Sequence, residues 1–288
     1  MVLTGQEYKT KKIPTWCPGC GDFGIWSALK KALVELGFKG DDLIFVYGIG
    51  CHGNMYDIMK LNNFEGLHGR PLPVACGIRL ANNKIPVFAV SGDGDALGEG
   101  GNHFIHAARR NFNITYLIHD NQIYGLTTGQ TSPTTRPGLK TKSNPFGSLD
   151  YPFNPLTLAI AAGATFVARG FAGDIDHLCE LIKKAQQHQG FSVVDILQPC
   201  VTFNPNTSYA FFREHIYKLE EDYQTDNKIN AFAKALEWEM SGKLPIGVFY
   251  EEQKPCYEDE VEQIKNTPLV DQEDFNQEKL QELINDFI

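Results

Sequence analysis

Four stretches of the chain are short, nearly continuous apolar runs rich in β-branched and aromatic residues: 43–47, 87–90, 114–118 and 192–197. Runs of that length and composition suit strands buried on both faces of a parallel sheet. Between them the pattern changes to helical spacing over about 23–36, 74–82, 100–110 and 175–188, with Ile175, Leu178, Leu181 and Ile182 on one stripe. Strands alternating with helices predict an α/β fold, a doubly wound, mostly parallel sheet with helices on both faces. Ligands on such a sheet collect at the carboxyl ends of the strands.

Two segments break the alternation. Residues 127–155 are rich in Thr, Gly, Pro and Ser without a period, which predicts a long loop over the site. From Pro245 the chain carries Glu251-Glu252 and Glu258-Asp259-Glu260, then an amphipathic pattern over 277–288. The expected organisation is therefore a domain over 1–244 and an acidic C-terminal arm over 245–288.

Composition narrows the partners. The chain has 288 residues and a net charge of −9, and it lacks the clustered Lys and Arg that phosphate backbones require, so nucleic acid is not expected. No apolar run is long enough to span a bilayer, and the start has no apolar stretch behind its charges. The expectation is a cytoplasmic protein with no membrane contact. Seven cysteines, odd in number and unevenly spaced, then read as metal ligands and free thiols before disulfides.

After the strand ending at Val90-Ser91 comes Gly92-Asp93-Gly94-Asp95, and the next strand ends in Asp120-Asn121-Gln122-Ile123-Tyr124-Gly125. A diphosphate held through magnesium needs oxygen ligands, which Asp93, Asn121 and the Ile123 carbonyl can supply. Gly92 and Gly94 let the backbone approach phosphates, and the following helix points its positive end at them. A Gly-Asp-Gly turn alone is ordinary turn chemistry. The distance to Asn121 is what changes its weight, since one helix and one strand fit between, as a βαβ step requires.

Trp16-Cys17-Pro18-Gly19-Cys20-Gly21 places two thiols on one tight turn. Cys51, in Gly48-Ile49-Gly50-Cys51-His52, and Cys200, in Gln198-Pro199-Cys200, each follow a predicted strand. Four thiolates from three loops suit a [4Fe–4S] cube better than a compact zinc site, although thiolate count alone leaves zinc open. Cys76 and Cys179 fall on apolar helix faces as core residues, and Cys256, in the polar tail, receives no role.

Together these motifs, with His68-Gly69-Arg70, Tyr124-Gly125-Leu126-Thr127, Gly129-Gln130 and Ser132-Pro133-Thr134, resemble the β subunit of 2-oxoacid:ferredoxin oxidoreductases. The match runs from about residue 13 to about 250. Gly92-Asp93-Gly94 and Asp120-Asn121 resemble the thiamine-diphosphate enzyme signature, with Asp120 where many members have Asn. The resemblance implies a [4Fe–4S] cluster on Cys17, Cys20, Cys51 and Cys200, and magnesium on Asp93, Asn121 and Ile123. Thiamine diphosphate would be lined by Ile49, Gly50, Cys51, His52, His68, Gly92, Gly94, Asp95, Gly125 and Leu126. His68 and Thr128 are substrate-side candidates, and Thr128 stands where some relatives carry Lys.

The implied activity is coenzyme A-dependent oxidative decarboxylation of a 2-oxoacid, run forward or in reverse, with electrons leaving for ferredoxin. 2-Oxoglutarate is favoured, with pyruvate or broad specificity as the alternative. The resemblance also implies an α subunit, because the carboxylate facing the aminopyrimidine and much of the substrate pocket are missing here. Two other readings stay open: a non-oxidative thiamine-dependent decarboxylase subunit, and a zinc-stabilised binding module without catalysis.

Overall fold

The computed structural model describes residues 4–272 and 277–287. Its centre is an eight-stranded sheet: β1 (Ile44–Tyr47), β2 (Asn62–Glu65), β3 (Val87–Gly92), β4 (Ile114–Asp120), β5 (Phe166–Phe171), β6 (Phe191–Leu197), β7 (Ile216–Lys218) and β8 (Leu244–Glu251). The spatial order is β2-β1-β3-β4-β6-β5-β8-β7. The first six strands are parallel and β8 runs antiparallel to β5.

The four predicted apolar runs are β1, β3, β4 and β6, which form the middle of the sheet together with β5. Every residue of β4 and β6 is buried, as strands covered on both faces must be. Helices Asp22–Glu35 and Ile175–Gln187 cover one face around Phe45, Phe88 and Val194. Helices Pro71–Ala81, Gly101–Arg110 and Pro155–Ala162 cover the other around Val46, Ala89 and Tyr116. The last of these starts where Asn154 accepts the amides of Leu156 and Thr157 and Pro155 presets the first turn. It ends at Gly163, whose φ of 97° is the left-handed stop.

Order reverses between β1 and β3: β2 lies on one side of β1 and β3 on the other. A crevice opens there beyond the carboxyl ends of both strands. It receives Gly48 to His52 from β1 and Gly92 to Asp95 from β3.

One expected boundary moves. Residues 244–251 form β8 within the sheet, so the segment beyond the core begins after Glu251 rather than at 245. That segment is anchored at the end of the sheet away from the crevice. Glu252 N–H donates to Thr165 O at 2.8 Å, and Asn111 Nδ2 donates to Pro255 O at 3.0 Å. Of the acidic run, Glu258 is turned inward and fully buried against Arg79. Cys256 is buried there too, and Cys179 is a core residue of helix Ile175–Gln187. The amphipathic pattern at the end forms helix Gln277–Asn285. Among the described residues no helix is long and apolar enough to cross a membrane.

Candidate active site

The crevice holds one pocket lined by Ile49, Gly50, Cys51, His52, His68, Gly92, Asp93, Gly94, Asp95, Gly125 and Leu126, among others. Asn121 and Ile123 border it as well. Thr128, expected on the substrate side, borders a second, neighbouring pocket instead.

Asp95 is the organiser of the first pocket. Its Oδ1 accepts from Gly69 N–H at 2.7 Å and Ile49 N–H at 3.1 Å, and His68 Nδ1 lies 3.0 Å away. Burial pushes this carboxyl up, but the His68 contact, nearby His52 and these amides hold it below the usual range. His68 is raised in turn, chiefly by Asp95. Gly48 passes so close that a Cβ would sit 1.9 Å from Asp95 Oδ2, so only glycine lets β1 end there.

Asp93 is buried at the start of a π-helical turn, Gly94–Glu99, a local irregularity that often marks functional sites. Its Oδ2 accepts from the hydroxyls of Ser132 and Thr134, each at 2.5 Å. Burial still pushes Asp93 up to about 6. Thr134 Oγ1 also lies 3.0 Å from Asp120 Oδ1, and Asp120 is driven well above the carboxylate range by burial, Asp195 and Asp93. A hydroxyl has one proton, so a neutral Asp120 donating to Thr134 lets Thr134 donate to Asp93. Asp120 thus points away from the pocket and acts through that relay.

Between Asn121 and Ile123, Gln122 has φ 59°, an uncommon conformation for a non-glycine residue. Thr135 Oγ1 and Asn204 Nδ2 fix the turn by donating to Gln122 O at 2.7 Å and Asn121 O at 3.0 Å. Three polar atoms of the pocket, His52 Nε2, His119 Nε2 and Asp95 Oδ2, are buried without a hydrogen-bond partner among the described residues. Burial holds the His52 imidazole down to about 4, so it is neutral. Orphaned donors and acceptors around an acidic ligand cradle fit a polar cofactor with a diphosphate and a divalent ion.

The second pocket is lined by all four singled-out cysteines, Cys17, Cys20, Cys51 and Cys200, with Trp16 and Val201. Three hydrogen bonds tie its loops together. Trp16 Nε1 donates to Cys51 O at 2.7 Å, Gly21 N–H to Pro199 O at 3.0 Å and Gln198 Nε2 to Cys20 Sγ at 3.4 Å. Burial pushes the Cys20 thiol up, and Cys51 up to about 12. The pockets share Cys51, Asn121, Gly125, Leu126 and Gln198 as a common wall.

Sequence reasoning missed the buried layer beneath this wall. Asp22 Oδ1 lies 2.7 Å from His119 Nδ1, and its Oδ2 accepts from Gln198 Nε2 at 2.9 Å. The available signal was an acid directly after the Cys-Pro-Gly-Cys turn, which reads equally as a helix-initiating residue.

Comparison with known proteins gives these features a lineage. The family described as "Thiamine pyrophosphate enzyme, C-terminal TPP binding domain" matches residues 48–196, and the family of the C-terminal part of the pyruvate ferredoxin oxidoreductase beta chain matches 200–266. A 2-oxoacid:ferredoxin oxidoreductase subunit beta from Saccharolobus solfataricus is 41% identical over 92% of this chain and 96% of its own length. The 2-oxoglutarate synthase subunit KorB of Archaeoglobus fulgidus is 43% identical over 82% of this chain and 91% of its own. A solved structure, 2-oxoglutarate:ferredoxin oxidoreductase from Magnetococcus marinus with 2-oxoglutarate, coenzyme A and succinyl-CoA bound, superposes with a TM-score of 0.91. It is 37% identical and covers 98% of this chain and 96% of its own. A parallel sheet with its ligand cradle at the β1/β3 crevice, and sequence likeness over nearly the whole chain, place this protein in the 2-oxoacid:ferredoxin oxidoreductase family as a β subunit.

Proposed function

We propose that the first pocket binds thiamine diphosphate through magnesium held by Asp93, Asn121 and the Ile123 carbonyl, and that the second holds a [4Fe–4S] cluster on Cys17, Cys20, Cys51 and Cys200. With an α subunit, the chain oxidatively decarboxylates a 2-oxoacid in a coenzyme A-dependent reaction and passes electrons to ferredoxin. The Magnetococcus neighbour favours 2-oxoglutarate as the substrate. The working compartment is the cytoplasm, and the segment after Glu251 meets the partner subunit.

The observation that carries this reading is the common wall. Cys51 and Gly125 border both pockets, so an electron donor in one and an acceptor in the other are neighbours. Four thiols brought from three loops to one pocket suit a cluster better than a compact zinc site.

Thiamine diphosphate, when bound, supplies the carbon nucleophile and electron sink for 2-oxoacid cleavage. This chain's residues do the positioning. Ser132 and Thr134 fix the Asp93 carboxylate, Asn121 is oriented through Ile123 N–H at 3.0 Å, and His68 is held by Asp95 at the pocket mouth. The α subunit supplies the carboxylate facing the aminopyrimidine and the rest of the substrate pocket.

The test is anaerobic co-purification with the α subunit. The complex should be brown, contain iron and acid-labile sulfide, and reduce viologen only with a 2-oxoacid and coenzyme A. A colourless complex that decarboxylates without an electron acceptor would sink the redox reading.

A further inference from the structure

Electrons that reach the cysteine pocket must leave through the surface, and the turn at Cys17-Pro18-Gly19 is one place where the chain brings that pocket to solvent. Pro18 and Gly19 are exposed, and Cys17 between them and the core is partly so. Val201 from the Cys200 loop is 43% exposed beside Gly19, and Ile13 just upstream is 83% exposed. Pro18, Gly19 and Val201 make a small apolar tip beside the sulfur ligands, and Ile13 precedes it along the chain.

The charges beside this tip run against the rest of the protein. The chain carries −9 overall, yet Lys9, Lys11 and Lys12 fall within four residues. The strap holding them is fixed. Thr10 N–H donates to Ile58 O at 3.1 Å, and Lys60 N–H donates to Tyr8 O at 2.9 Å, which sets the exposed Lys60 alongside. Asp57 offsets part of this charge, 3.4 Å from Lys12 Nζ on the open surface, where such a pair is weak. Lys9 also sits over the Trp26 ring at 5.2 Å, and Trp26 meets Trp16 edge-on at 6.1 Å. Trp16 bonds Cys51, so the strap is packed onto the cysteine loops.

We propose that this lysine strap and the tip formed by Pro18, Gly19 and Val201 are the docking face for a small acidic iron–sulfur electron carrier. The proposal rests on the electron-transfer function above. A basic rim around a small apolar centre speeds encounter with an acidic partner and sets its orientation, while the short-lived contact electron carriers need is kept small. An anionic membrane would need a broader basic surface; this strip is narrow and adjoins a turn where Cys17 approaches solvent.

The experiment uses the complete complex with its α subunit, comparing parent, Lys11→Glu/Lys12→Glu and Lys11→Arg/Lys12→Arg. Each is assayed with a purified, net-negative ferredoxin and, separately, with methyl viologen. The charge reversal should raise KM for ferredoxin on the order of tenfold or more and flatten its dependence on salt. Viologen turnover should match the parent, and the arginine variant should behave as the parent with both acceptors. An unchanged ferredoxin KM and salt slope in the charge-reversed complex would overturn the docking face. Equal losses with both acceptors would also overturn it, by showing damage inside the complex. Absence of viologen reduction in the parent would defeat the functional reading, and the docking proposal with it.

Discussion

Asp22 and His119 meet at 2.7 Å in the layer beneath both pockets, where Asp22 is fully buried and His119 is 1% exposed. The same carboxylate accepts from Gln198 Nε2 at 2.9 Å, and Gln198 also donates to Cys20 Sγ at 3.4 Å. Potentials of iron–sulfur sites follow local charge and hydrogen bonds to sulfur. Asp22→Asn should therefore raise the midpoint potential of the proposed cluster, and Gln198→Leu, which removes an N–H from the sulfur, should lower it. Spectroelectrochemical titration with iron content checked reads both. Shifts of the same sign in the two variants would contradict this account.

Thr134 links the carboxylate of Asp93, the proposed magnesium ligand, to Asp120. Thr134→Val removes a hydroxyl 2.5 Å from Asp93 Oδ2 and should weaken magnesium-dependent thiamine diphosphate binding about 10- to 100-fold, as loss of an outer partner of a metal ligand does. Thr134→Ser should retain affinity. Magnesium titration followed by cofactor fluorescence or calorimetry would settle it, and equal affinities for Val and Ser would sink the relay.

Glu258 anchors the segment after the sheet. Arg79 donates to it from Nε at 2.8 Å and from Nη2 at 2.7 Å, and Arg79 Nη1 donates to Ile85 O at 2.6 Å. Removing one member strands a buried charge, so Glu258→Ala should cost about 3–5 kcal/mol in urea denaturation. The double change Arg79→Met with Glu258→Leu should recover most of that loss. A single-variant cost below about 1 kcal/mol, of the size seen for surface pairs, would show the pair to be weak.

Lys30 gives a pH signature. It is buried over Trp26, 3.2 Å from the ring centroid, and burial with the charge of Lys9 brings its pKa down to about 8. The unfolded chain therefore binds more protons between about 8 and the ordinary lysine value near 10.4, and this group makes stability rise with pH across that window. Lys30→Met should be more stable than the parent at pH 7, with the difference shrinking toward pH 10. Urea midpoints at the two pH values measure it; a constant difference would refute the linkage.

The middle of the sheet was legible because β1, β3, β4 and β6 are apolar runs whose burial needs no knowledge of neighbours. β5 was not. Its Arg169 interrupts the run, and only the fold shows that Asp195 on the adjacent strand meets Arg169 Nε at 2.7 Å. β8 hid behind Pro245 and Gly247, which read locally as breakers, and Glu258 looked like one acid in a solvated run. At the site, motif residues at strand ends were readable because turn chemistry confines them. Asp22, His119 and the Ser132 and Thr134 hydroxyls depend on contacts across 39 to 97 residues of sequence, which no local pattern records.

Gly125 lies in the partition between the two chambers, and a Cβ there would stand 3.4 Å from Cys51 Sγ, 3.7 Å from Asn121 Nδ2 and 3.9 Å from Cys200 Sγ. One added methyl group would just fill the space between the two chambers, in ordinary van der Waals contact with both sulfurs and with the Asn121 amide. Any longer side chain would meet both walls at once, so the size of this residue is limited by the two pockets jointly.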